Sequence, residues 1–188
     1  MDKTASHDTF VNIEMDKTIR IIQYDSPCGP LFVGSVDNLL CLVAWAGAKN
    51  LDAVINRLCR RLDAIIVAGD SPATACAVIQ LEEYFRGRRR SFDMDLSIVG
   101  SEFQREVWAE VAKIPYGETV TYAVISERIG KPSATRTVAN AIGMNAISIV
   151  VPCHRIVGSD GGLTGYAGGI AAKRFLLDIE RQHSISQT

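Results

Sequence analysis

The residues with the clearest chemical potential lie in one run, Asn145-Ala-Ile-Ser-Ile-Val-Val-Pro-Cys-His-Arg155. Positions 147–151 are apolar and β-branched except for one serine, which predicts a buried strand that ends at Pro152, because proline cannot donate the next ladder hydrogen bond. A turn at that point would let Cys153 and His154 cooperate. A thiol beside an imidazole and a guanidinium has surroundings that favour the thiolate. The Cys-His pair alone indicates either a catalytic nucleophile or a buried cysteine with an incidental neighbour.

A second candidate feature lies directly upstream, where two short predicted helices form a helix-turn-helix across 121–143. Thr121 and Ser133 are placed to cap the two helices. Helical spacing turns 134, 138, 141 and 142 inward, so the opposite face carries one long cation among small residues. That face favours close approach to a groove over sequence-specific readout. The predicted DNA contacts are Thr135, Arg136, Ala139 and Asn140.

Arg136 is the long cation of that face. It is free to insert where a base has been extruded from the duplex. The alternative for Arg136 is an ordinary solvated surface cation.

The elements that must position these residues divide into two parts, and the predicted fold class is α+β. A mobile leader is expected over 1–17, and an N-terminal support domain with a mixed or antiparallel sheet and helices over 18–98. The C-terminal domain, 99–183, is predicted to be mostly helical and to carry the helix-turn-helix and the cysteine. A short tail, 184–188, completes the chain.

Turn signals and periodicity locate the elements within each part. Helices are predicted from Leu51, with Asn50 as cap, from Ser71-Pro72 to about Arg86, and from the capping box of Ser101 and Gln104. Strands are predicted over 18–24, 31–35, 39–45, 64–68 and 92–96.

Composition limits the function classes. The apolar runs are too short for a membrane span, and the polar start does not resemble a signal peptide, so we expect an intracellular protein, cytoplasmic or, in a eukaryotic host, nuclear. The net charge of −1 gives no global reason for nucleic-acid binding, and the basic run 86–90 is either a solvated helix end or a phosphate patch. The five cysteines lack metal-ligand spacing, so no metal is expected, and Cys59 and Cys76 are predicted to be passive buried residues.

Several motifs in sequence carry a family resemblance. Pro-Cys-His-Arg155 closely resembles the active-site signature of the O6-alkylguanine-DNA alkyltransferases, and the similarity runs from about Phe103 to Glu180. It passes through Pro-Tyr-Gly-Glu-Thr-Val-Thr-Tyr122, Ala-Thr-Arg136-Thr-Val and Gly-Tyr-Ala-Gly-Gly169. The resemblance implies direct-reversal repair: a protein that flips O6-alkylguanine, with O4-alkylthymine as a second candidate lesion, out of double-stranded DNA and accepts the alkyl group irreversibly. It also implies no cofactor, and a monomer is sufficient.

The resemblance further implies a role for each matching residue. Cys153 would be the alkyl acceptor, and His154 the base that activates it through a water molecule. Glu180 would orient His154. It falls at the edge of an apolar helical stripe, and its alternative is a solvated glutamate. Tyr122 would contact the flipped base and help protonate the departing guanine, with a core aromatic as the alternative.

Asn145 would be the hinge between the DNA-reading helix and the nucleophile, and Arg136 would fill the hole left by the extruded nucleotide. The lesion pocket would be lined by Val151, Pro152, Tyr166, Ala167, Gly168 and Gly169. Ala167 stands where many relatives carry serine, so a side-chain hydroxyl contact to the base is absent there.

Two other classes of protein compete with this interpretation. A lesion sensor or regulator would use the helix-turn-helix without chemistry, but alkyltransferase-like sensors lack the acceptor cysteine. A cysteine hydrolase would use Cys153 and His154 but would have no need of the helix that bears Arg136.

Overall fold

The computed structural model describes residues 17–185, and its first part is a four-stranded sheet in the order β3-β2-β1-β4. β1 (Lys17–Ser26), β2 (Gly29–Val36) and β3 (Leu39–Trp45) form the predicted antiparallel meander. β4 (Ala64–Ala68) pairs parallel with β1 and completes the sheet. The predicted leader lies outside the described residues except for its last residue, which begins β1.

Two helices accompany this sheet, α1 (Leu51–Leu62) and α2 (Pro72–Phe85). Ser71 caps α2 as predicted, since its hydroxyl accepts from the Thr74 amide at 3.1 Å. The predicted cap of α1 is wrong, because Asn50 makes no side-chain cap and instead donates to the Gly143 carbonyl at 2.8 Å. The strand predicted over 92–96 is also wrong, since only an isolated bridge from Leu96 forms there.

The second part is mostly helical, as predicted. Ser101 and Gln104 form the expected capping box at the start of the first of its helices. The last helix continues two residues into the predicted tail. The elements are α3 (Glu102–Ala112), β5 (Val120–Thr121), α4 (Tyr122–Arg128), α5 (Thr135–Gly143), β6 (Ile156–Val157) and α6 (Gly169–Ile185), with β5 and β6 paired in parallel.

α4 and α5 form the helix-turn-helix. Thr121 caps α4 by accepting from the Val124 amide at 3.3 Å, as predicted. The predicted Ser133 cap of α5 is wrong, because Pro132–Ala134 form a 3-10 turn that leads directly into the helix. Val138 and Ile142 are buried, so the inward stripe of α5 is confirmed.

The outer edge of β3 joins the two parts of the chain. Leu40 exchanges backbone hydrogen bonds with segment 95–97, at 2.9 and 2.8 Å. Val43 donates to the Ala146 carbonyl and accepts from the Ser148 amide, both at 2.8 Å. The segment that leads to Cys153 is therefore anchored on the N-terminal sheet.

The strand predicted over 147–151 is wrong. The chain reverses at Ile149, whose φ of +73° lies in the left-handed region that β-branched residues rarely adopt. The Val151 amide donates to the Ile147 carbonyl at 2.9 Å, so the apolar run forms a tight buried turn.

Among the helices of residues 17–185, none has the length and apolar character that a bilayer crossing requires.

Candidate active site

Asn145 braces the turn that precedes the candidate nucleophile. Its Oδ1 accepts from the Ile147 amide at 2.9 Å, and its Nδ2 donates to the Val151 carbonyl at 2.9 Å and to the Cys153 sulfur at 3.3 Å. Backbone groups that would pair with a neighbouring strand are thus satisfied by one side chain. Asn145 lies two residues after the end of α5, so its contact with the sulfur places Cys153 near the C-terminal end of that helix.

Cys153, His154 and Arg155 form a 3-10 turn, and all three side chains are buried. His154 Nε2 lies 2.8 Å from Glu180 Oε1, and neither side chain is exposed to solvent. His154 Nδ1 is buried and makes no hydrogen bond within the described part of the chain. Glu180 is therefore a buried partner of His154, not a solvated terminal residue.

The Glu180 carboxylate accepts from several donors around it. Arg155 reaches it with Nε at 2.9 Å and Nη2 at 2.8 Å, and the Gly117 amide donates at 2.9 Å. Gly117 needs to be glycine, because its φ is +81° and a Cβ would lie 2.3 Å from the Ser184 hydroxyl. Burial raises the pKa of Glu180, but His154 and Arg155 outweigh it and lower the pKa from 4.5 to about 2. The carboxylate is ionised at neutral pH.

The electrostatic surroundings of Cys153 differ from the prediction. Burial raises the pKa of the Cys153 thiol, and the hydrogen bond from Asn145 and the charge of Lys173 lower it by less. The neighbouring Arg155 does not supply the expected guanidinium, since it is directed to Glu180 and to the Ile114 carbonyl. The resting site therefore holds a thiol that requires a base. Burial also lowers the pKa of His154, so the imidazole is neutral and can accept a proton.

A cleft of about 650 Å³ opens between α5, the loop 165–169 and the N-terminal sheet. Tyr122 lines it, whereas Cys153 is buried and does not belong to the lining described for the cleft. The loop packs tightly against Trp45, because a Cβ on Gly168 would lie 2.5 Å from the indole. The predicted pocket residues Tyr166, Ala167, Gly168 and Gly169 all line the cleft.

Val151 and Pro152 do not belong to the lining described for that cleft. Both are buried, and Pro152 lines a different pocket beside Tyr116 and Arg155. Val151 contributes its carbonyl to the Asn145 brace. Both residues lie directly before Cys153 in the chain, and their assignment to the lesion pocket stays a prediction.

The predicted DNA-contacting face of α5 is accessible. Arg136 and Asn140 are exposed and Thr135 and Ala139 are half-buried, and Ala139 and Asn140 also line the cleft. The C-terminal end of α5 is held by the N-terminal part. Asn50 donates to the Gly143 carbonyl at 2.8 Å and Arg57 to the Met144 carbonyl at 2.7 Å.

Other predictions had mixed outcomes. Cys76 is exposed and Cys59 is half-buried, so their prediction as buried residues is wrong. Two arginines of the basic run form ion pairs within the chain, Arg86 with Glu82 and Arg89 with Glu83. Within 17–185, no three histidine, cysteine or carboxylate side chains are grouped so that they could hold a metal ion.

Sequence reasoning missed two buried residues of the site, Tyr84 and Lys173. The Tyr84 hydroxyl donates to Glu180 Oε1 at 2.8 Å, and Lys173 donates to the Thr164 carbonyl at 2.8 Å. It also missed the N-terminal wall of the cleft, which includes Cys28, Pro30 and Trp45. An aromatic on a helix face is typical of a core residue, so the sequence held no signal for Tyr84.

A helix-turn-helix beside a buried cysteine, histidine and glutamate defines a DNA-binding protein with a candidate nucleophile, and comparison with known proteins makes the class specific. A family model described as 6-O-methylguanine DNA methyltransferase, DNA binding domain, matches residues 102–182. The chain is 54% identical over 112 residues to the methylated-DNA–protein-cysteine methyltransferase of Mycolicibacterium paratuberculosis, which covers 60% of this chain and 68% of that protein. It is 36% identical over 162 residues to that of Mycobacterium leprae, covering 86% and 92%.

The structural comparison agrees. The crystal structure of Mycobacterium tuberculosis OGT in complex with DNA has a TM-score of 0.73 and 39% identity, covering 88% of this chain and 94% of that chain. The chain therefore belongs to the family of the methylated-DNA–protein-cysteine methyltransferases. The expected family and the α+β fold class are confirmed.

Proposed function

We propose that this chain removes the alkyl group from O6-alkylguanine in double-stranded DNA and transfers it irreversibly to Cys153, so that each molecule reacts once. The chemistry is direct-reversal repair by a methylated-DNA–protein-cysteine methyltransferase. The observation that carries the assignment is the Cys153 sulfur, held by Asn145 at the end of the DNA-reading helix and next to a buried histidine-glutamate pair. The presence of this thiol disfavours a lesion sensor.

The reaction is a displacement at saturated carbon. The Cys153 proton passes to the neutral His154, whose buried Nδ1 is free to accept it through a water molecule. The sulfur then forms a bond to the alkyl carbon as the bond from that carbon to the guanine oxygen breaks. Tyr122 donates a proton to the departing purine, and the proton held by His154 restores the phenol through solvent. The thioether product is stable to water, so the thiol is not regenerated.

Access to the alkyl carbon requires that the nucleotide leave the base stack, which costs a few kcal/mol. Arg136 is exposed on α5, which supports a role in which it would enter the space that the nucleotide vacates. The cleft between α5 and the loop 165–169 would receive the base, with Tyr122 on its wall. Backbone groups at Ala167 would replace the hydroxyl contact that a serine would make.

The small residues on α5 favour contacts that depend weakly on sequence, and binding would weaken with added salt as phosphate contacts are lost. We also propose that the protein works where the genome lies, in the cytoplasm or, in a eukaryotic host, in the nucleus. One lesion per molecule requires only a monomer.

The acceptor assignment is tested by incubating the full chain with a duplex oligonucleotide that contains O6-methylguanine and mapping the methylated peptide by mass spectrometry. We expect one methyl group, on Cys153. Exposed Cys76 and half-buried Cys28 are internal controls for non-specific reaction. Methylation of another cysteine, or of none, contradicts the proposal. Cys153→Ser should bind the lesion duplex without transfer, and transfer by that variant would be equally fatal.

A further inference from the structure

The N-terminal part reaches the histidine-glutamate pair through one side chain. Tyr84, on α2, is fully buried, and its hydroxyl lies 2.8 Å from Glu180 Oε1 and 3.4 Å from His154 Nε2. Burial and the neighbouring Glu180 raise the pKa of Tyr84 well above its usual value, so the phenol keeps its proton. The N-terminal part thus contacts both partners of the pair that prepares the nucleophile.

The proton positions around this hydroxyl follow from the chemistry of the groups. An ionised carboxylate can only accept hydrogen bonds, so the single Tyr84 proton is directed to Glu180. The phenol oxygen and the carboxylate then both present lone pairs to His154 Nε2. That nitrogen must carry the imidazole proton, which leaves the lone pair on Nδ1.

We propose that Tyr84 is a positioning residue of the alkyl transfer: it holds Glu180 and the edge of His154 so that the imidazole stays in the Nε2–H form with Nδ1 free to take the thiol proton. The inference rests on the function proposed above. Tyr84 acts through these two residues and does not touch the substrate. It gives the N-terminal part a role in the chemistry as well as in support.

The charged and titratable groups around His154 set the direction of the expected effect. Glu180 Oε1 is shared by Tyr84, His154 and Arg155, and each donor disperses part of the negative charge. Loss of the tyrosine proton would concentrate that charge on His154 Nε2 and raise the pKa of the imidazole. Arg155, Lys173 and Tyr166 also face His154, and the proposed change leaves them in place.

The test is Tyr84→Phe, which keeps the ring in its aromatic cluster and removes only the hydroxyl. The substrate is the free base O6-benzylguanine, which needs no DNA binding and whose benzylic carbon is displaced readily. We expect the rate of transfer at neutral pH to fall by about three- to tenfold, the range for one hydrogen bond. The acidic limb of the pH–rate profile, which reports the base, should move up by roughly half to one pH unit.

Tyr116→Phe is the matched control. Its ring lies 6.1 Å from that of Tyr84 in the same cluster, and its buried hydroxyl makes no hydrogen bond with residues 17–185. We expect the wild-type rate and pH profile for this variant. A Tyr84→Phe protein with the wild-type rate and profile overturns the inference, as does an equal effect of both variants, which would indicate packing alone. If the wild-type protein accepts no methyl group on Cys153 from duplex O6-methylguanine, the proposed function is refuted instead.

Discussion

Glu180→Gln tests whether the buried carboxylate supports the fold as an anion. The variant keeps the shape but replaces one carboxylate oxygen with an NH2 group, which cannot accept the hydrogen bonds that Arg155 and Gly117 donate. Removing one partner of a buried ion pair destabilises a protein by about 3–5 kcal/mol. The pKa gives a second magnitude, since a fall from 4.5 to about 2 is worth about 3 kcal/mol of the free energy of unfolding.

The lowered pKa of Glu180 also predicts how the difference in stability between the wild-type protein and the variant depends on pH. Because the pKa is lower in the folded state, the stabilisation is fully present above about pH 5 and is lost as the pH falls from 4.5 toward 2. At about pH 3.5 the wild-type protein should have lost nearly half of this stabilisation, roughly 1–2 kcal/mol, which the glutamine variant lacks at every pH. The stability gap between the two proteins should therefore narrow by that amount.

Urea unfolding at about pH 6.5 and about pH 3.5 measures this gap, with the denaturant slope checked for constancy. Asp178→Asn is the control, because this exposed carboxylate lies on α6, the helix of Glu180. We expect that control to change stability by less than about 0.5 kcal/mol. A gap for Glu180→Gln that is below about 1 kcal/mol, or that is the same at both pH values, would refute the reasoning.

Two further substitutions test the roles of α5 and of the brace that follows it. Arg136→Ala should slow repair in duplex DNA by about tenfold or more and reaction with the free base by less than about twofold, because only the duplex has a nucleotide to replace. Parallel single-turnover assays measure the two rates, and Arg174→Ala, at an exposed position on α6, is the control. Equal loss of rate on duplex and free base would contradict the insertion of Arg136 into the duplex. Asn145→Ala should lower the free energy of unfolding by about 2–4 kcal/mol, since it leaves the Ile147 amide and the Val151 carbonyl unpaired. A urea titration checks this, and a loss below about 1 kcal/mol would show that water replaces the amide.

The fold was largely readable from the sequence because its local signals agree. Alternation and turn residues predicted the meander and β4, and side-chain caps predicted the starts of α2, α3 and α4. The failures occur where a side chain acts over a long distance. Asn50 is a good cap by type, but in the folded chain its amide is used by α5. The apolar run before Cys153 has a strand composition, yet the Asn145 amide satisfies its backbone and allows the reversal at Ile149.

The candidate site was predictable only where residues lie in motifs. Cys153 and His154 stand together in the chain, and Glu180 lies on an apolar helical stripe. Tyr84 and Lys173 are brought to the site by packing alone, and local pattern could not reveal them. The sequence also could not reveal that burial raises the pKa of the Cys153 thiol, because the chemical types of its neighbours do not report how much solvent they exclude.

The pairing of β3 with segments from both parts of the chain bears on how this family can be cut and recombined. The region that the family model matches, 102–182, contains Cys153 but lacks β3, to which the segment before Cys153 is hydrogen-bonded through Val43. It also lacks the cleft wall around Trp45. A fragment made of those residues would need another surface to replace β3 and the Trp45 wall before it could transfer an alkyl group. A chimera of two relatives should therefore keep its activity best when β3 and the turn before the cysteine come from the same parent protein.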